Sequence, residues 1–152
     1  MIQRIQSIWL LLASITIFLM LIIPIASSLE GSKEFWVQAT GLYQHEKEVT
    51  TKLESFRPLY IAVIAIGIMC IGIIFNFKKR SVQKQMCLAA IILIFGLAFW
   101  TFSYAKVIPG GLDYAKLNVG AFLPMAAVIF CGLAIRGIRK DEQLLRSAER
   151  LR

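Results

Sequence analysis

The residues able to do chemistry are few and scattered. His45, the one histidine, stands among Glu46, Lys47 and Glu48. A zinc site would need cysteines at ligand spacing beside it, and general-base catalysis would need a nucleophile within reach. Neither is nearby, so His45 reads as a solvated loop histidine. Cys70, Cys87 and Cys131 are odd in number and all fall in apolar runs, so they build no disulfide framework outside a membrane. The acidic residues of the first half alternate with lysines, which makes a solvated face rather than a paired set of carboxylates. There is no phosphate-cradling glycine loop, nucleophile elbow or HExxH helix. The expectation is a protein that is not an enzyme, with no metal and no cofactor. A cavity gathering His45, Asp113 and a glutamate would revive a membrane enzyme as the third choice.

The elements that must carry these residues are oily. Of 152 residues, 58% are hydrophobic and 17% charged, with a mean hydropathy of +0.70. A soluble domain has about 45–50% apolar and about 25% charged residues. Four apolar runs, 8–26, 59–77, 86–104 and 117–135, are each 19 residues long and contain no charged residue or histidine. At about 1.5 Å per residue each rises roughly 28 Å, close to the thickness of a bilayer's hydrocarbon core. A cleavable leader is one reading of the first run, since Arg4 precedes it and Ala26-Ser27-Ser28 supplies small residues at its end. Its apolar core exceeds the roughly 7–15 residues of a leader, which favours a retained span. The whole chain, 1–152, therefore reads as a single four-span membrane domain.

Within the spans, Pro124 should remove a bond to the Gly120 carbonyl and kink the fourth helix. Ser14, Thr16, Thr101 and Ser103 can bond to carbonyls of their own helices, and Asn76 and Asn118 can cap helix ends. Gly67, Gly72, Ala89, Ala90, Gly96, Gly120, Ala127 and Gly132 are the small residues available for close helix approach. None forms a GxxxG, which leaves self-association undecided.

Charge orients the spans. If both termini share a side, that side receives Arg4, the Lys78-Lys79-Arg80-Lys84 loop and the cations of the tail, 11 of the 17 basic residues. The other side balances to zero, so the full excess of +8 lies with the termini. The positive-inside rule then makes loop 78–85 and tail 136–152 cytoplasmic, along with both termini. Nucleic-acid binding loses its force as an account of the basic pI, because the cations are spread over juxtamembrane places with no recognition fold beside them.

Two stretches remain for contacts. The segment 27–57 is too long for a turn. Residues 35–43 and 48–53 read as two strands of an antiparallel hairpin turning across 44–47, lying on the helix ends or pairing with the Val107–Lys116 loop. Trp36 and Tyr43 are its candidate partner contacts; the plainer role for them is anchorage to lipid or to the helices. The tail should continue as an amphipathic helix with Leu144, Ala148 and Leu151 on one stripe and Glu142 four before Arg146. Arg146, Arg150 and Arg152 are its candidate contacts, for a partner or for lipid headgroups.

The opening Met-Ile-Gln-Arg-Ile-Gln-Ser-Ile-Trp-Leu-Leu-Leu-Ala and the closing Ile-Arg-Lys-Asp-Glu-Gln-Leu-Leu-Arg-Ser-Ala-Glu-Arg-Leu-Arg resemble the two ends of a Bacteroidota membrane family, domain of unknown function 4293. The resemblance runs along the whole chain and implies a bacterial inner-membrane protein with four spans and no activity to transfer. Leu145 and Glu149 stand where valine and aspartate would be common in such tails. Trp36 and Gly41-Leu42-Tyr43 bear a weaker architectural likeness to claudin and PMP-type tetraspan proteins, whose paired loop cysteines are absent here.

The expected fold is an all-α membrane protein. It would be a four-helix transmembrane bundle with a small periplasmic β-hairpin and a cytoplasmic C-terminal helical extension. The expected function is a structural or accessory subunit of a cell-envelope complex in the bacterial inner membrane. Its partners would be the lipid bilayer and a membrane or envelope protein, with no nucleic acid. The runner-up is a small channel or transporter for apolar solutes or lipids.

Overall fold

The computed structural model describes residues 3–30, 33–46, 49–76, 79–109 and 115–150, with side chains described between 5 and 144 of these. In chain order the elements are α1 (Gln3–Leu19), β1 (Ala26–Glu30), β2 (Lys33–Gln38), β3 (Gly41–Glu46), β4 (Val49–Ser55), α2 (Arg57–Phe75), α3 (Arg80–Ala105), β5 (Lys116–Leu117) and α4 (Leu123–Arg150). A 3-10 turn, Val119–Phe122, leads into α4.

The all-α expectation is corrected. The five strands form one antiparallel sheet in the order β4-β3-β2-β1-β5. Where one long strand was expected over 35–43, the chain reverses at Ala39-Thr40 and pairs β2 with β3. Gly41 permits this, with φ +156; a Cβ there would collide with the Glu54 carbonyl oxygen across the β3–β4 ladder. The expected turn at 44–47 is overturned as well, because Gln44, His45 and Glu46 continue β3, while Lys47 lies outside the described residues. Two further strands each take in one terminal residue of an expected span, Ala26 and Leu117. Ala26–Glu30 pairs with β2 on one side and with Lys116–Leu117 on the other, so the strand that meets the end of the Val107–Lys116 loop is β1 and not the expected hairpin.

The first and fourth spans are reshaped by this pairing. Helix α1 stops at Leu19, and the chain tightens through i→i−3 bonds from Met20, Leu21 and Ile22 before Pro24 turns it into β1. The last carbonyls of the turn, which no helix can satisfy, are taken up by the sheet end. Gln38 Nε2 donates to Ile22 O at 2.8 Å, and the Gly120 N–H donates to Pro24 O at 3.1 Å. A Cβ on Gly120 would collide with that same carbonyl. Pro124 falls in the first turn of α4, where no N–H is needed, so the kink expected from it does not arise.

The helices alternate in direction. Gln6 lies against Gly137, the Trp9 and Phe130 rings stack at 6.0 Å, and Pro24 meets Gly120, so α1 and α4 run antiparallel over their shared depth. Phe56 packs its ring on Tyr104 at 4.1 Å, and Gln83 donates to Ile73 O at 3.3 Å, which sets α2 against α3 in the same way. Each helix packs chiefly on two neighbours, α1 and α3 being separated by α2 and α4. Leu10, Ile17, Val63, Cys70, Ile94 and Ala127 fill the centre, and the cluster continues without a break into Val37, Ala39 and Leu42 on the inner face of the sheet. The sheet thus crowns the end where α1 and α3 finish and α2 and α4 begin.

Three helical stretches, Arg57–Phe75, Arg80–Ala105 and Val119–Leu144, are long and apolar enough to cross a membrane; Ile5–Leu19 is apolar but shorter. Their outward sides carry Ile61, Ile68, Phe75, Ile92, Phe99, Met125 and Ile129, all exposed, with Phe99 at 76%. Water-soluble surfaces rarely carry contiguous apolar areas of this extent, and hydrocarbon solvates them without cost. Tyr60, Trp100 and Phe102 are exposed near the sheet end, where an aromatic belt would meet headgroups.

Candidate interaction surfaces

At the sheet end, strand periodicity decides which side chains face away from the helices. Phe35, Val37 and Ala39 are buried on the inner face, so Glu34, Trp36 and Gln38 point to the other. Trp36 is the direct cross-strand partner of Tyr43, and their rings stack at 5.9 Å and 12°. His45 tilts on Trp36 at 6.4 Å, and its Nδ1 lies 3.1 Å from Thr50 Oγ1. Lys52 Nζ sits 5.6 Å above the Tyr43 ring, and the Tyr43 hydroxyl lies 3.0 Å from Thr40 Oγ1. The candidate contacts Trp36 and Tyr43 are therefore part of one ladder that runs across β2, β3 and β4.

Strand β4 is the open rim of this surface. Among the described strands it has a neighbour on one side only, and all seven of its residues are exposed. Val49 and Leu53 put apolar area on the rim, while Lys52 and Glu54 interrupt it with charge.

The opposite end is polar. Asp141, 6% exposed, faces Arg80 at 3.9 Å, and Lys84 Nζ lies 3.4 Å from a Glu142 carboxylate oxygen. Glu142 thus reaches across to α3, and the expected partner Arg146 has its side chain outside the described residues. Gln6 is buried beside Gly137, and its Nε2 has no hydrogen-bond partner among the described residues. Arg146 and Arg150 lie on the backbone of α4 with their side chains outside the described set, and Arg152 lies outside it altogether. One turn earlier, Arg136, Arg139, Lys140 and Gln143 line a groove of about 670 Å³ with Gly132 and Ile135. The i, i+3 and i+4 spacing of these three cations, with Gln143 at i+7, puts them on a shared face, which net charge alone does not reveal.

Among the described residues, no group of three or more His, Cys, Asp or Glu side chains is placed to hold a metal ion. Asp113 lies outside the described residues, so the cavity with His45 is not assembled among them.

Apolar helices of spanning length with an antiparallel sheet on one end define a membrane protein with an extramembrane β-platform. The chain belongs to the family described as Domain of unknown function (DUF4293), which matches residues 2–151. No curated protein matches the sequence.

Proposed function

We propose that this chain is a non-enzymatic accessory subunit of an envelope complex in the bacterial inner membrane, with both termini cytoplasmic and the sheet in the periplasm. The observation that supports this reading is β4, an edge strand exposed on both faces and held at a fixed height by a sheet rooted in the helix core. Such an edge offers a row of backbone donors and acceptors to a partner's strand, and the adjoining Trp36–Tyr43 ladder offers aromatic area for specificity. The charge excess at the opposite end supports the orientation.

Photocrosslinking residues introduced at Leu53 and Trp36 in native membranes test the reading. Discrete adducts to one envelope protein at both positions, lost when Thr51 is replaced by proline, are expected. Recovery of a free monomer, with no adduct at either position, would overturn it.

One observation favours a second reading, a carrier for apolar solutes or lipids. A groove of about 510 Å³ between α2 and α3, lined by residues including Ile66, Leu93, Gly96 and Trp100, is wholly apolar. Flux of a lipid probe from proteoliposomes containing only this protein would favour it.

A further inference from the structure

The groove at the end of α4 opposite the sheet combines two chemistries on one helix face. Toward the sheet, the outward stripe carries Met125 and Ile129, both more than half exposed and of the kind acyl chains cover. At Gly132 the stripe is bare, since a Cβ there would meet nothing within 4 Å. Beyond it stand Arg136, Arg139, Lys140 and Gln143, all exposed. From Val119 to Arg136 the chain rises about 25 Å at about 1.5 Å per residue, so the cations fall where a hydrocarbon core of about 30 Å gives way to headgroups.

The described acids of α4 do not neutralise this row. Asp141 and Glu142 turn toward Arg80 and Lys84 on α3, and among the described residues none of Arg136, Arg139 and Lys140 is in an ion pair. Three cations within one turn and a half, none in an ion pair among the described residues and two of them guanidinium forks that match phosphate oxygens, leave a concentrated positive charge beside an oily channel.

We infer that this groove is a binding site for one anionic phospholipid. Its phosphate is held by Arg136, Arg139 and Lys140, Gln143 hydrogen-bonds the headgroup, and an acyl chain runs past Gly132 along Ile129 and Met125. This inference is independent of the accessory role proposed above.

The test uses the full chain reconstituted in vesicles of equal parts phosphatidylglycerol and phosphatidylcholine. Lipid co-released with the protein is then weighed by native mass spectrometry. The wild type is expected to retain one phosphatidylglycerol in preference to phosphatidylcholine. R136Q/R139Q/K140Q is expected to weaken retention on the order of 100-fold. R57Q/K106Q/K116Q removes equal charge from exposed positions at the sheet end and is expected to keep the lipid. Gly132→Leu, with all charges intact, is expected to lose it through blocked chain access. The inference is overturned if the wild type shows no preference, if both triple variants lose lipid equally, or if Gly132→Leu retains it. Displacement of the lipid by inorganic phosphate alone would assign the site to a soluble anion and also overturn it.

Discussion

The Ser14 hydroxyl of α1 donates a hydrogen bond to the backbone carbonyl of Gly67 on α2, buried and 3.0 Å long. Sequence reasoning assigned Ser14 to its own helix, as Thr16, Thr101 and Ser103 indeed bond to Leu12, Ala98 and Phe99. What redirects Ser14 is Gly67, whose missing Cβ lets the Phe18 ring and the α1 backbone approach; a Cβ there would lie 2.6 Å from Phe18 Cζ. The contact locks the shortest helix to a full-length one. Gly67→Val should destabilise the folded protein by about 1–3 kcal/mol through overpacking. Ser14→Ala should cost about 0.5–1.5 kcal/mol, the range of hydrogen bonds between helices in lipid. Reversible unfolding in mixed micelles measures both.

The β2–β3 reversal depends on Gly41. Its positive φ and its contact with the Glu54 carbonyl both penalise a side chain, so Gly41→Ala should weaken the sheet by about 1–3 kcal/mol. Hydrogen exchange should quicken in β3 and β4 while α2 and α3 keep their protection. Equal quickening in all four elements would contradict the separate role given to this turn.

At the other end, the Arg80–Asp141 pair is largely buried and the Lys84–Glu142 pair is partly exposed. Asp141→Ala leaves the guanidinium without its carboxylate and should cost about 1–3 kcal/mol. Lys84→Gln should cost under about 1 kcal/mol, because water screens that pair. Thermal unfolding of the two variants in one detergent separates the effects.

Trp36 and Tyr43 share a stack, so their replacements should not add. Trp36→Ala and Tyr43→Ala should each remove about 0.5–1.5 kcal/mol of ring interaction, with the double variant losing less than the sum. A double-variant cycle on sheet protection reads the coupling directly.

The long helices were legible because apolar runs without charge are a strong signal: α2 keeps close to the expected 59–77, while α3 contains the expected 86–104 but starts at Arg80, inside the stretch expected as the 78–85 loop. The sheet was not. Ala26 and Leu117 are as apolar as the spans they border, and only long-range pairing shows that they belong to strands. Gly41, inside a β-favouring run, is the local mark of the reversal, and its flanking Trp36, Val37 and Tyr43 favour a continuous strand. Of the candidate contacts, Trp36 and Tyr43 were found by residue type, whereas the groove of Arg136, Arg139 and Lys140 needed the direction in which Asp141 and Glu142 turn, which composition does not encode.

The proposed topology has the helices crossing a membrane with the sheet on one side and the link between α2 and α3 on the other. Impermeant maleimide labelling of intact cells tests it, in a background with Cys70, Cys87 and Cys131 changed to alanine. Thr51→Cys on β4 should label from outside, and Lys79→Cys only after the membrane is opened. Labelling of both positions from the same side would contradict the account.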